Sequence, residues 1–163
     1  MKHFNHKIIS FGISALAGAD IGGMMGVLAG ATLPDLDIPL GIPHRTITHW
    51  WPIYTGTAIA VKLLPVGQFP ALVTDFIFWV CVGSLLHILE DSLTVGGVPI
   101  LNPFSRKRFS FGLTRTGGMF EYLVSIAVVV LIVGVVSVKP HYFSFDSQNI
   151  KGYVQDIIYR IGG

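Results

Sequence analysis

Seven side chains able to bind a metal stand at short, purposeful spacings. Asp35 and Asp37 lie in Pro34-Asp35-Leu36-Asp37. His44 and His49 bound His44-Arg45-Thr46-Ile47-Thr48-His49. His87 and Asp91 are four residues apart, and His6 stands near the start of the chain. Neutral imidazole is the commonest protein ligand for zinc, and carboxylates complete sites for zinc, manganese or iron. Three or four histidines with three aspartates exceed what one tetrahedral ion takes up. The set therefore suits two divalent ions, zinc first and manganese or iron as alternatives, bridged by a carboxylate. Such a pair acidifies a shared water and stabilises both the entering and the leaving oxygen of a displacement at phosphorus or carbon. Arg45 is always charged and forked, which suits it to hold a substrate phosphate or carboxylate. Glu90, beside Asp91, is the further catalytic candidate; a supporting bond to a ligand, or plain exposure, are its other readings.

Each member also has an ordinary reading. His6 alone suits an interfacial polar residue. Asp35 and Asp37 suit a helix cap or an Asx-turn after proline. His44 and Arg45 suit contact with lipid phosphates, and His49, just before Trp50 and Trp51, suits an aromatic belt. His87 and Asp91 suit a hydrogen-bonded pair on one helix face. Thr46 and Thr48 suit either bonds that orient imidazoles or the start of a helix. Taken separately, these readings leave one thing unexplained: why so many such residues gather in a chain so poor in charge.

The elements that must position them follow from composition. The chain has 163 residues, 52% hydrophobic and 12% charged, against roughly 25% charged in a typical soluble domain. Its mean hydropathy is +0.66. These values exclude disorder, a coiled coil, a DNA-binding module and an ordinary soluble enzyme. A net charge of +2 is too small for a nucleic-acid footprint, so no nucleic-acid partner is expected. The single cysteine, Cys81, excludes an intrachain disulfide and a cysteine-based zinc finger. The expected fold class is all-α, a polytopic helical membrane protein. Residues 1–140 form its membrane-embedded metal-site domain, and residues 141–163 a C-terminal tail.

A spanning helix needs about 20 apolar residues. The clearest candidate is Met119 to Val138; a second runs from about Pro70 to Ser92. A third runs from about Thr48 to Leu64, with Lys62 placed to snorkel, and Pro65, Gly67 and Pro70 punctuate the turn after it. Ile8 to Ala19 and Ile21 to Leu33 are each too short to cross alone. Asp20 and Gly22-Gly23 between them favour a re-entrant or tightly turned helical pair, with one long helix from Lys7 to Leu33 as the competitor. Four to five membrane helices are expected in all. Lys2, Lys7 and Ala17-Gly18-Ala19 have the outline of a cleaved signal, but a second apolar segment follows at once and cleavage would discard His6. Arg106, Lys107, Arg108 and Arg115 place the 103–118 loop in the cytoplasm, and the metal-binding candidates then all fall on that side. In the tail, Ile150, Val154, Ile157, Ile158 and Ile161 oppose Lys151, Gln155 and Asp156, the pattern of a helix lying in the interface.

Together, His6, Leu33-Pro34-Asp35-Leu36-Asp37, His44-Arg45-Thr46-Ile47-Thr48-His49 and His87-Ile88-Leu89-Glu90-Asp91-Ser92-Leu93-Thr94, with Gly97 and Pro103-Phe104-Ser105, resemble the YdjM-like family of bacterial inner-membrane proteins. The resemblance covers about residues 6 to 110. It implies a metal-dependent hydrolase of the cell inner membrane that uses the His and Asp residues named above. It also implies a distant likeness to zinc-dependent phospholipase C and nuclease enzymes, which cleave phosphoesters, although a family does not fix a substrate. Two features depart from the family pattern. Trp50 follows Thr48-His49 where a small polar residue is usual, and the stretch from His6 to Pro34 is short. The expected function is hydrolysis of a phosphoester or lipid-like ester at the cytoplasmic interface, with membrane lipids and a lipid-like substrate as partners. The alternative is a non-enzymatic metal binder, either a structural staple or a transporter.

Overall fold

Two local signals decide how the N-terminal third is used. Helix α1 (His3–Leu16) ends at Gly18, whose φ of 78° places it in the left-handed region. The Ala19 N–H bonds the Ser14 carbonyl at 3.0 Å and the Gly18 N–H bonds the Ala15 carbonyl at 3.1 Å, which is the glycine-terminated helix end. Asp20 then caps α2 (Ile21–Gly30) by accepting the Gly23 N–H at 2.7 Å. A stop followed directly by a cap gives two helices, and the continuous-helix alternative is not formed.

A computed structural model describes residues 1–63, 69–138 and 158. The division at residue 140 and the interfacial helix expected in the tail lie outside the described residues. After α2 come a 3-10 turn (Leu33–Asp37), a second 3-10 turn (Ile47–His49), α3 (Trp51–Leu63), α4 (Ala71–Ser92) and α5 (Met119–Val138). No strand forms among the described residues; isolated bridges pair Thr94 with Thr114 and Val98 with Phe109.

The expected count of four to five membrane helices is corrected. Among the described residues two helices, α4 and α5, are long and apolar enough to cross. At about 1.5 Å per residue, the 14 residues of α1, 10 of α2 and 13 of α3 reach well short of a hydrocarbon core about 30 Å thick.

Helix α4 is the axis. Its Gly83 lies so close to α2 that an added Cβ would sit 2.2 Å from the Val27 carbonyl oxygen, and one added at Gly30 would sit 2.0 Å from that of Val80. Small residues let helix backbones touch in this way. Tyr54 and Ala58 of α3 pack on Cys81 and Ile88 of α4, and Lys62 pairs with Asp75 at 2.8 Å near the opposite end of α4 from His87. Helix α5 meets α1 through a buried polar knot. Glu121 accepts from the Lys2 N–H at 3.2 Å and from Asn5 Nδ2 at 3.1 Å, while Ser125 donates to Asn5 Oδ1 at 3.1 Å. Because Glu121 is fully buried, truncation to alanine strands two donors, a loss of about 1–3 kcal/mol. A lowered unfolding midpoint for Glu121→Ala, largely recovered in Glu121→Gln, checks this.

Candidate metal centre

The cluster forms where α1 begins, α2 ends and α4 ends. Residues four apart share a helix face, so His87 and Asp91 of α4 point the same way. His6 stacks on His87 with ring centroids 3.8 Å apart, and His49 meets His87 edge-on at 5.3 Å. His6, His49 and His87 are completely buried, and Asp35 and Asp91 nearly so.

The Nδ1 side of each imidazole is occupied. His87 Nδ1 donates to the Ala31 carbonyl at 2.8 Å, His6 Nδ1 to Glu90 Oε2 at 2.7 Å, and His49 Nδ1 to the Thr48 hydroxyl at 3.1 Å. That hydroxyl donates in turn to Asp37 Oδ2 at 2.8 Å. A nitrogen that donates carries the ring proton, so the lone pair of each ring sits on Nε2. All three Nε2 atoms are buried without a hydrogen-bond partner.

Those lone pairs converge on carboxylate oxygens. His87 Nε2 is 3.4 Å from Asp35 Oδ1 and 3.9 Å from Asp91 Oδ2. His49 Nε2 is 3.5 Å and 3.7 Å from the same two oxygens, and His6 Nε2 is 3.4 Å from Asp91 Oδ1. Acceptors facing acceptors repel unless a cation stands among them. Buried polar groups left unsatisfied call for such an explanation, and the donor set fits zinc and its neighbours. Among the described residues two groups have ligand atoms close enough to share an ion: His6, His87 and Asp91, and Asp35, His44 and His49. Positive groups already crowd Asp91, where the Met1 ammonium reaches Oδ1 and Arg45 reaches Oδ2 at 2.9 Å.

The remaining candidates take other places. His44 sits at the exposed rim, with Nδ1 on Asp37 Oδ1 at 2.9 Å. Asp37 is fully buried behind the cluster and also accepts the Arg45 N–H at 3.1 Å. It ties the 44–49 segment to the first 3-10 turn. Glu90 lies behind His6, where Ser10 donates to its second oxygen at 3.2 Å, so it orients an imidazole and does not face the carboxylate pair. Glu90→Gln keeps the size and one acceptor but loses the charge-assisted bond. A drop of about 10- to 100-fold in zinc affinity with the fold retained is expected, read by chelator competition. Thr46 donates to the Pro43 carbonyl and only closes a turn.

Arg45 holds φ at 59°, rare for a side chain of its size, and such strain gathers at functional sites. An added Cβ at Gly96 would meet its guanidinium at 2.0 Å, so glycine there makes room for it. An open cavity of about 810 Å³ adjoins the cluster, lined by Phe4, Ile38, His44, Arg45, Asp91 and Arg108 among others.

Sequence reasoning passed over His3, whose Nδ1 lies 2.8 Å from Asp35 Oδ2. Its position one helical turn before His6 was the available signal. It also passed over Ser10 and the Ala31 carbonyl, which carry no sequence mark of their own.

Burial alone would raise the Asp35 carboxyl. The imidazoles of His49, His87 and His3 beside it outweigh burial and hold Asp35 well below the usual carboxylate range. Asp37 is lowered likewise, against burial, by bonds from His44, Thr48 and the Arg45 backbone. Asp35 therefore stays ionised through mild acid, and protons compete with a metal mainly at the imidazoles. Imidazoles must shed protons to bind a metal, so zinc affinity should fall as the pH is lowered; chelator competition across pH checks this.

An apolar, all-helical chain with a buried imidazole–carboxylate cluster at the end of a membrane-length helix is a membrane protein with a candidate metal centre. The profile of the YdjM inner membrane protein family matches residues 1–145, and the chain belongs to that family; it is a protein of the inner membrane. Among curated proteins, the "Uncharacterized protein YfhP" of Bacillus subtilis (strain 168) is 25% identical over 119 residues, 66% of this chain and 36% of the relative. The chain thus spans about a third of that relative's length. No solved structure matches the chain.

Proposed function

We propose that this chain is a membrane-bound, divalent-metal-dependent hydrolase of a phosphoester or lipid-like ester, working at the cytoplasmic surface of the inner membrane. The observation that carries the reading is the convergence of three unpartnered imidazole Nε2 atoms on Asp35 and Asp91 beside an open cavity. His6, His49, His87, Asp35 and Asp91 would hold the ions, with His44 completing the set at the rim. When bound, the ions supply an acidified water and positive charge for the oxygens of the reacting ester.

The rest falls to the chain itself. Glu90, Thr48 and the Ala31 carbonyl fix the three imidazoles so that their lone pairs need no reorganisation. Arg45, in the cavity wall, is the forked donor for a substrate anion. Phe4 and Ile38 give the cavity an apolar side, which suits an amphiphilic substrate over a fully water-soluble one.

A structural staple would be coordinatively closed, whereas this cluster opens on a cavity. A transport path would carry ionisable groups along the bilayer depth. In α4 no Asp, Glu, Lys, Arg or His lies between Asp75 and His87, which argues against conduction along it.

The test is metal analysis of the purified protein with phosphodiesterase and phospholipid-hydrolysis assays. Arg45→Gln is expected to lower kcat/KM toward anionic esters about 100-fold, in line with loss of a strong charged contact, with metal content measured beside it because Arg45 also pairs with Asp91. Zinc bound in full with no turnover of any ester would leave the staple as the better reading.

A further inference from the structure

We propose that the loop between α4 and α5, tipped by Leu101 and Phe104, inserts into the leaflet beside the metal centre and binds anionic phospholipid headgroups through Arg106, Lys107 and Arg108. The loop leaves the end of α4 and returns to the start of α5, the two helices of membrane-spanning length. It therefore lies at one bilayer surface.

Its apolar tip is held outward by defined bonds. Val98 and Phe109 exchange backbone hydrogen bonds at 2.9 Å each, and the Val95 N–H bonds the Thr114 carbonyl at 2.9 Å. The Trp51 indole donates to the Ile100 carbonyl at 3.0 Å, tying the tip to α3, and Arg108 reaches the His44 carbonyl at 3.4 Å. Leu101 is nonetheless 87% exposed and Phe104 75%. Large apolar side chains presented this way mark an interaction surface.

Charge selects the occupant. From Ser92 to Phe120 the chain has four cations, Arg106, Lys107, Arg108 and Arg115, and no acidic residue. Apolar residues beside cations are the composition of segments that lie in an interface, and the complementary surface is an anionic leaflet. Arg108 also lines the cavity beside the cluster, so the layer of headgroups that the loop gathers reaches the cavity mouth. This holds whether or not the site hydrolyses an ester, since the contact is with lipid and not with metal.

The full chain, reconstituted in nanodiscs of phosphatidylcholine with or without phosphatidylglycerol, tests it in two ways. Nitroxides at Leu101→Cys and Phe104→Cys, with buried Cys81 left in place, should be accessible to oxygen and shielded from a water-soluble nickel chelate. Native mass spectrometry should show phosphatidylglycerol retained over phosphatidylcholine. The Arg106→Gln, Lys107→Gln, Arg108→Gln triple variant should lose that preference by up to roughly 100-fold, each charge contributing a factor of about five. An unchanged thermal unfolding midpoint keeps misfolding from imitating this result, and Lys107→Gln alone, at the exposed tip, should give a partial loss. Water-like accessibility at both labelled positions, or an undiminished phosphatidylglycerol preference in the folded triple variant, overturns the proposal; the first result would assign the tip to a protein partner in the aqueous phase.

Discussion

Replacing His87 with alanine is expected to lower zinc affinity by more than about 100-fold, because loss of an outer contact alone costs about 10- to 100-fold. His87 is the ring through which the cluster is joined. It stacks on His6, its Nε2 lies between Asp35 and Asp91, and its Nδ1 is anchored on the end of α2. Removing it deletes a ligand atom of the group formed with His6 and Asp91, opens the side of the cluster that faces Asp35, and leaves the Ala31 carbonyl without its buried partner. A bound metal stabilises the folded state by mass action, so wild-type protein should melt higher with zinc and lower with a chelator. His87→Ala should melt at the same temperature in both. Measuring stoichiometry beside the melting shift separates loss of metal from loss of fold, and Asp35→Ala should behave the same way. A folded His87→Ala protein that still carried its full metal complement would remove the candidate centre altogether.

How far the sequence reveals this arrangement depends on which physical signal is asked. Hydropathy and length place α4 and α5 to within a residue or so, since long apolar runs have few alternatives. The α1–α2 break is visible in Gly18 and Asp20, which carry their backbone roles in their side chains or lack of one. Hydropathy does not fix helix length, however: the span expected from about Thr48 to Leu64 forms a helix of only 13 residues. At the site, residue type cannot separate a ligand from the group behind it. Asp35 and Asp37 look equivalent, yet at three residues per turn in a 3-10 turn side chains two apart point in different directions. Asp35 faces the imidazole lone pairs, while Asp37 faces the 44–49 segment. Glu90 and Asp91 divide similarly on α4, where neighbours are about 100° apart. One meets His6 Nδ1 from behind, and the other enters the cluster. The 3-10 turn at Ile47–His49 likewise takes residues that hydropathy assigns to α3, and it is this turn that directs His49 inward.

Gly83→Val is expected to remove the metal site without touching a ligand. The valine Cβ would fall 2.2 Å from the Val27 carbonyl oxygen, and backbone facing backbone has no side chain to swing aside. Overpacking costs about 1–3 kcal/mol and occasionally more, and here the upper end is expected because α2 itself must move. As α2 withdraws, Ser84 Oγ loses the Gly30 carbonyl, now at 3.1 Å, and His87 Nδ1 loses that of Ala31. The 3-10 turn bearing Asp35 is carried away with the end of α2. Stability and zinc affinity should therefore fall together in Gly83→Val. Gly56 in α3 provides the contrast, since a Cβ there meets nothing within 4 Å. Gly56→Ala should be neutral or stabilising by up to about 1 kcal/mol through helix propensity alone, with zinc binding unchanged. Unfolding midpoints and chelator competition on both variants decide the matter. A Gly83→Val protein as stable and as metal-replete as wild type would mean that α2 and α4 do not meet backbone to backbone, and that His87 takes its orientation from somewhere other than Ala31.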